Sequence, residues 1–362
     1  MKNLKTYLPR LVLILFSMAA AAQSATSHFA DSIRNAYNIP ELAYAVVDAN
    51  SILDTGISGI QRAGSSYPAK PNDRFHIGSN TKAITSFIAA LLVRDGKIKW
   101  NTKFFDLFPE MQKVSKGAYN NITLENLLTF RGRLPSYTYT NEKPVNSDFT
   151  GDLNQQRLQL AQYFLKQSPM KVQRTGLTPS NADYILAGLM LEKASGKDYK
   201  TLVTDFGKSL EIDFGFDYPN LTDNMQPWGH NANLQPIPPK GNYKLNWLLA
   251  AGNINVSLEG YIKFVQLLLR GLDGNSNLLT QAEFQNLLFG PEFFAFGWFN
   301  DPDPETFQET AYNDGNAGAF ITQVKIFKES KRSIIIFTNA ATPATEDGTA
   351  ILMLKLQQLY IE

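Results

Sequence analysis

The sequence predicts an α/β (α+β) protein: one antiparallel sheet built from both ends of the chain, helices flanking it, and an all-helical lobe inserted between the two sheet segments. Three observations carry this. Short β-branched and aromatic runs occur towards both termini. Between them, over about residues 83–288, the pattern is mostly helical with long polar loops. Within that part, residues 83–93 (AITSFIAALLV) are apolar on nearly every side, the mark of a buried helix. Strands within a sheet lobe of about 26–80 and 290–362, with helices between them, imply a shared sheet, and the cleft between sheet and inserted lobe is the natural place for a site.

Taken in order, residues 26–37 read as a modest helix ended by Asn38-Ile39-Pro40. Residues 42–47 and 52–62 read as strands joined by a turn at Asp48-Ala49-Asn50. The apolar helix at 83–93 is stopped by Arg94-Asp95-Gly96, where glycine suits the left-handed residue that ends helices. A short helix opens at Thr123 and runs to Leu128, residues 154–166 are helical, and so are 181–194, stopped at Gly196. Residues 257–269 are amphipathic, and Thr280 with Glu283 forms a capping box for the next helix. Residues 294–299, 320–327 and 332–338 read as strands, with Lys328-Glu329-Ser330-Lys331 turning between the last two. Residues 349–360 close the chain as a helix.

Composition narrows the function. The net charge is +1, so nucleic acid is not an expected partner and nothing suggests a polybasic membrane surface. There is no cysteine, hence no thiol nucleophile, disulfide, lipid-anchoring cysteine or thiolate-bound zinc. The three histidines, His28, His76 and His230, have no metal-ligand spacing, and no cofactor is expected. Lys2, Lys5 and Arg10 precede an apolar run over 11–22 that ends in Ala20-Ala21-Ala22. This reads as a secretory signal over 1–22, too short to span a bilayer, with cleavage near Ala22–Gln23. The mature chain, 23–362, is expected in the periplasm or outside the cell without stable membrane insertion. Nothing in the sequence sets an oligomeric state.

The candidate chemistry sits at Ser79 and Lys82, at the start of the buried helix. A helix N-terminus carries unpaired N–H groups and partial positive charge, which favour a developing oxyanion. Lys82 lies one turn on, on the same face. A lysine amine desolvated in a core can lose its proton near neutral pH and serve the hydroxyl as base. A second S-x-x-K, Ser168 to Lys171, is followed by Val172-Gln173-Arg174-Thr175-Gly176 and reads as a loop.

The order of landmarks resembles the S-x-x-K serine hydrolases: penicillin-binding proteins, class C β-lactamases and their esterase and peptidase relatives. Phe75-His76-Ile77-Gly78-Ser79-Asn80-Thr81-Lys82, then Asp95-Gly96-Lys97-Ile98 and Asp106-Leu107-Phe108-Pro109-Glu110, look like that family's first motif and its downstream loop. The similarity runs from about Tyr44 to Leu359. It implies the β-lactamase/transpeptidase-like fold, with Ser79 forming an acyl-enzyme and Lys82 acting as base. It also implies a small-molecule or peptidoglycan-like substrate: a β-lactam, a D-amino-acid peptide or a small ester.

Further positions follow from the same resemblance. The family's Y-x-N motif falls on Pro179-Ser180-Asn181. Asn181 is the expected substrate-binding amide, whereas Pro179 replaces the proton-shuttling tyrosine and cannot shuttle. Tyr184, three residues on, is expected in the core. The K-T-G or H-x-G motif falls on Asn313-Asp314-Gly315-Asn316, with a strand directly after it. Asn313 stands where the cation would be, Asp314 is expected to repel an anionic substrate, and Gly315 keeps the strand open to close approach. The backbone N–H groups of Ser79 and Asn316 are the expected oxyanion donors. A third landmark, L-L-x-H-x-S-G-L-P, reads Leu127 to Pro135 with Phe130, Gly132 and Arg133 at the His, Ser and Gly positions. Arg131 and Arg133 are either cleft-lining anion binders or solvated loop residues, Trp228 either stacks on a substrate or packs, and His76 is expected to be a structural hydrogen-bonder.

Two functional readings follow. Retained Ser79, Lys82 and Asn181 favour an active hydrolase. The lost tyrosine and cation favour a catalytically impaired homologue that binds cell-wall fragments or a protein partner.

Overall fold

Alternate residues of the first strand enter two different cores. In β1 (Glu41–Asp48), Ala43, Ala45 and Val47 join one apolar cluster and Leu42, Tyr44 and Val46 another. A strand with both faces buried belongs to a sheet covered on both sides. In the computed structural model, which describes residues 25–361, that is the arrangement. The expected secretory signal over 1–22 lies outside the described residues.

A helix at 25–36 (α1) and β1 lead into β2 (Ile52–Gly59), β3 (Arg74–His76) and α2 (Thr81–Arg94). The helical lobe follows. It holds α3 (Phe104–Leu107), α4 (Pro109–Gln112), α5 (Leu124–Leu128), α6 (Leu153–Leu165), α7 (Asn181–Ser195), α8 (Tyr199–Ser209), β4 (Gly215–Phe216), α9 (Tyr243–Trp247), α10 (Leu249–Gly252), β5 (Ile254–Ser257), α11 (Leu258–Leu272) and α12 (Gln281–Phe289). The chain then returns to the sheet through β6 (Phe293–Phe294), β7 (Phe299–Pro302), β8 (Glu309–Asn316), β9 (Ile321–Phe327) and β10 (Arg332–Thr338), and ends in α13 (Pro343–Tyr360).

The main sheet has seven strands in the order β2-β1-β10-β9-β8-β7-β6. Each neighbouring pair is antiparallel. The two ends of the chain meet at the β1–β10 pairing, with Leu42 opposite Thr338 and Asp48 opposite Arg332. One face packs on α1 and α13 through Ala30, Leu352 and Leu356; the other packs on α2 and α11 through Phe87 and Val265. Among the described residues no helix is long and apolar enough to cross a membrane.

Local signals placed most elements. Thr280 and Glu283 satisfy each other's backbone N–H groups at the start of α12, Ser257 caps α11, and Gly196 ends α7 at φ +70°. Three expectations need correction, and one element was not anticipated. Residues 294–299 are a tight turn between β6 and β7 rather than one strand. Gly297 makes the turn at φ +88°, and a Cβ there would lie 2.6 Å from the Ala83 nitrogen of α2. The second strand ends at Gly59, short of 62. The final helix starts at Pro343, because Thr342 caps it and proline suits the first helical position. A small sheet, β3-β5-β4, escaped notice because its strands are only two to four residues long.

The helical lobe contains a buried ion pair. Arg157 Nη2 lies 2.7 Å from Glu192 Oε1, with side chains 3% and 15% exposed, and Glu192 also accepts the Tyr199 backbone N–H at 2.8 Å. Glu192→Ala strands the guanidinium and is expected to cost about 3–5 kcal/mol. Urea denaturation reads this directly, and a loss under about 1 kcal/mol would mean that the pair contributes little.

Candidate active site

Ser79 sits in a single 3₁₀ turn, Gly78–Asn80, that runs straight into α2. Gly78 makes the turn possible. Its φ is +49°, and a Cβ would fall 2.7 Å from the Asn316 backbone nitrogen. The Ser79 turn is thus pressed against the end of β8. From the first turn of α2, Lys82 Nζ lies 2.9 Å from Ser79 Oγ and donates to the Ala251 carbonyl at 2.8 Å. Lys82 is only 3% exposed, and burial pulls its ammonium down to about 7. Both polar partners of its Nζ are neutral, and the Tyr184 ring lies 5.5 Å away. A neutral amine at this distance can take the serine proton.

The second-motif residues arrive at the start of α7. Ser180 caps that helix through the Ala182 N–H and donates to the Pro135 carbonyl at 2.6 Å. Asn181 is the first helical residue and borders Ser79. Pro179 lines the same hollow as Ser79 and Lys82, without a group that moves a proton. Tyr184 is fully buried and donates to the Leu128 carbonyl at 2.7 Å, so it belongs to the core, as expected.

The third motif ends a strand instead of preceding one. Asn313 to Asn316 are the last residues of β8, and β9 begins only at Ile321. Asp, Asn and Gly are poor strand formers, which hid β8 from the sequence. Asn313 is buried, and its Nδ2 donates to the Ser79 carbonyl at 3.1 Å and the Gly297 carbonyl at 2.7 Å. Its amide therefore clamps the Ser79 turn to the β6–β7 turn, while Asn313 still borders the hollow beside Ser79. Asn313→Leu removes both bonds and is expected to lower stability by about 1–3 kcal/mol. Denaturation midpoints test this; an unchanged midpoint would refute the clamp. Alternation places the Asp314 side chain on the opposite face of β8 from Asn313, across from Gln323. Asp314 nevertheless borders the same hollow as Ser79 and Lys82. Gly315 admits the close approach that its sequence context suggested: a Cβ would lie 2.0 Å from the Ile77 carbonyl oxygen. The Asn316 side chain accepts from the Gly318 N–H at 2.7 Å and from the Tyr139 hydroxyl at 3.3 Å.

The arginines are staples. Arg131 donates to the carbonyls of Thr129, Glu292 and Phe294, and Arg133 Nε to that of Met170. Arg133, at the family's glycine position, holds φ +63°. Trp228 lies under the Arg62 guanidinium at 4.7 Å and borders neither hollow beside Ser79. His76 is buried between Asn253 Oδ1 and the Gly78 N–H, and desolvation pulls it down to about 4. His230 donates from Nδ1 to the Asn339 carbonyl and accepts the Ala63 N–H. The second S-x-x-K, at Ser168, is a loop. No group of three or more His, Cys, Asp or Glu among the described residues is placed to hold a metal.

Ser79 borders two hollows. The larger, about 230 Å³, is walled by Phe130, Pro179, Phe294 and Phe299 and contains Lys82. Phe130 and Phe294 stack at 4.1 Å. The smaller, about 20 Å³, lies against Gly78, Tyr139, Gly252 and Asn316. Sequence reasoning missed Tyr139, Phe294 and Phe299. Tyr139 lies in a loop of the helical lobe and Phe294 and Phe299 in β6 and β7, and no local spacing marks them as lining the hollows beside Ser79. A roomier hollow of about 470 Å³ lies around Arg157 and Lys208, away from Ser79.

Residues 23–358 match a family model described as Beta-lactamase. The chain is 23% identical over 346 residues to the unguisins hydrolase ungD' of Aspergillus campestris, covering 87% of this chain and 61% of that protein. It spans about three fifths of the length of the curated relatives it matches. Among solved structures it is similar to an octameric penicillin-binding protein homologue from Pyrococcus abyssi, with TM-score 0.72 at 17% identity, over 91% of this chain and 77% of that one. It is also similar to a beta-lactamase from Sulfitobacter sp. EE-36, with TM-score 0.73 at 16% identity, over 93% and 99%. At such identities the structural likeness shows the fold.

Proposed function

The chain belongs to the beta-lactamase family, and on that premise we propose that it is a serine hydrolase working through an acyl-enzyme at Ser79. One observation carries this: Lys82 Nζ stands 2.9 Å from Ser79 Oγ in a buried setting that favours the neutral amine. Lys82 takes the hydroxyl proton as Ser79 Oγ bonds to the substrate carbonyl carbon. The N–H groups of Ser79 and Asn316 stabilise the resulting oxyanion. Lys82 then returns the proton to the leaving atom as its bond to carbon breaks. Water hydrolyses the acyl-enzyme, with Lys82 again the base, because Pro179 offers none.

Of the candidate substrates, a small neutral ester is favoured over a β-lactam or D-amino-acid peptide carrying a carboxylate. Among the described residues Lys82 is the only cationic one lining the larger hollow, and Arg131 and Arg133 are spent on backbone carbonyls. The catalytically impaired, binding-only reading keeps one specific support, the proline facing Ser79 where a second proton carrier would stand. Intact mass after incubation with a fluorescent penicillin and, separately, a fluorophosphonate decides between them, with Ser79→Ala as control. An adduct absent from the control supports the hydrolase. A folded protein that takes neither probe supports the binding protein.

The protein is further proposed to act outside the cytoplasm. The apolar run over 11–22 supports this, as does a family match that begins at residue 23. Protein recovered from a periplasmic extract should have the mass of a chain starting near Gln23; a full-length cytosolic product would refute it.

A further inference from the structure

Tyr139 reaches across the cleft from a loop of the helical lobe. Its hydroxyl donates to Asn316 Oδ1 at 3.3 Å. Its ring lies so close to the β8–β9 turn that a Cβ on Gly318 would come within 2.9 Å of it. The loop is pinned from behind, because Lys244 Nζ donates to the carbonyls of Tyr139, at 3.1 Å, and Asn141. This strap reduces the flank of Ser79 beside Asn316 to a hollow of about 20 Å³, room for about one water or a methyl group. The other flank keeps about 230 Å³ behind aromatic walls.

The two flanks are chemically unequal. Lys82 borders the larger and not the smaller. In acyl transfer the base that accepts the serine proton must hand it to the departing atom. The leaving group therefore belongs on the Lys82 side, among Phe130, Phe294 and Phe299, and the acyl substituent on the Tyr139 side. We infer that Tyr139 is a specificity-determining residue that limits the acyl group to about acetyl size, so that the substrate is a short-chain ester of an apolar or aromatic alcohol. This rests on Ser79 and Lys82 being nucleophile and base. The step balances: the Ser79 Oγ–C bond forms as the ester C–O bond breaks, the serine proton leaves with the alcohol, and water releases the acid and restores Ser79.

The test is the ratio of kcat/KM for 2-naphthyl acetate over 2-naphthyl isobutyrate, in the wild type, Tyr139→Ala, Tyr139→Leu and Ser79→Ala. The wild type should prefer the acetate by about 10- to 200-fold, the range a fixed apolar wall imposes on extra methyl groups. Tyr139→Ala should shrink that preference at least about tenfold, with Tyr139→Leu between the two. The leucine variant keeps apolar bulk in the loop, so it carries the test if the alanine variant does not fold. Ser79-dependent acetate turnover with an unaltered ratio in a folded Tyr139 variant overturns the strap and leaves the hydrolase standing. No Ser79-dependent turnover of either ester overturns the strap along with the hydrolase reading beneath it.

Discussion

Lys82→Met is expected to lower Ser79-dependent acyl transfer by about 10²- to 10⁴-fold, the usual loss when a positioned base is removed. The lysine's neighbours are poor substitutes: Tyr137 lines the same hollow, but burial raises its phenol far above the ordinary value. Pro179 carries no ionisable group, Tyr184 is committed to the Leu128 carbonyl, and His76 is locked against Asn253. The pH dependence has a definite sign. Burial holds the folded-state ammonium at about 7, and only the neutral amine accepts a proton, so the acylation rate should rise with pH and level off above about 7. A rate indifferent to pH across that value would remove Lys82 as the base. Stability moves in the same direction. Between about 7 and the ordinary lysine value of 10.5, the unfolded chain binds more protons than the folded one, so this group makes the protein more stable as pH rises through that window. Lys82→Met abolishes that dependence. It should be more stable than the wild type at neutral pH while being inactive, a combination that misfolding cannot produce.

Gly315→Ala is expected to reduce acylation by at least about 10²-fold, the scale of losing an oxyanion donor, and to lower the melting temperature. The added methyl would stand 2.0 Å from the Ile77 carbonyl oxygen and 2.4 Å from Thr322 Oγ1. Neither neighbour can give way easily. Thr322 Oγ1 donates to that same carbonyl at 3.0 Å and accepts from Asn80 Nδ2 at 2.9 Å. Relief must come from parting β8 and the Ser79 turn, which moves the Asn316 and Ser79 nitrogens off a shared oxygen position. Gly117→Ala, where the nearest atom to a new Cβ is 4.0 Å away, is the matched control. A Gly315→Ala protein that takes a fluorophosphonate as fast as the wild type would show that this close approach does not set the site's geometry.

What the sequence reveals here divides by range. The α12 capping box and the stops at Gly96 and Gly196 are decided within four residues, and all were legible. So was the buried helix behind Ser79, because its period needs only its own residues. The turn at Gly297 read as strand because Phe294, Phe296, Trp298 and Phe299 have high β-propensity, while the deciding fact, contact with the Ala83 backbone, lies more than 200 residues away in sequence. Tyr139, and the two carbonyl bonds made by Asn313, escaped for the same reason. An asparagine that grips two backbone carbonyls and one that meets a substrate have the same letter, and only the register of β8 against Ser79 separates them.

The pairing of β1 with β10 also bears on how the molecule is made. Glu41 and Asn339, bonded at 2.8 Å, are 298 residues apart, so the centre of the sheet cannot close until most of the chain exists. Ser79 and Lys82 emerge early in synthesis, yet Asn313, Gly315 and Asn316 come from β8, near the end. The helical lobe can gather its local contacts while the first two strands wait with exposed edges, the kind of interval in which chains stray or aggregate. The site around Ser79 is therefore completed late, and labelling by a Ser79-directed probe during refolding should lag behind the recovery of helix.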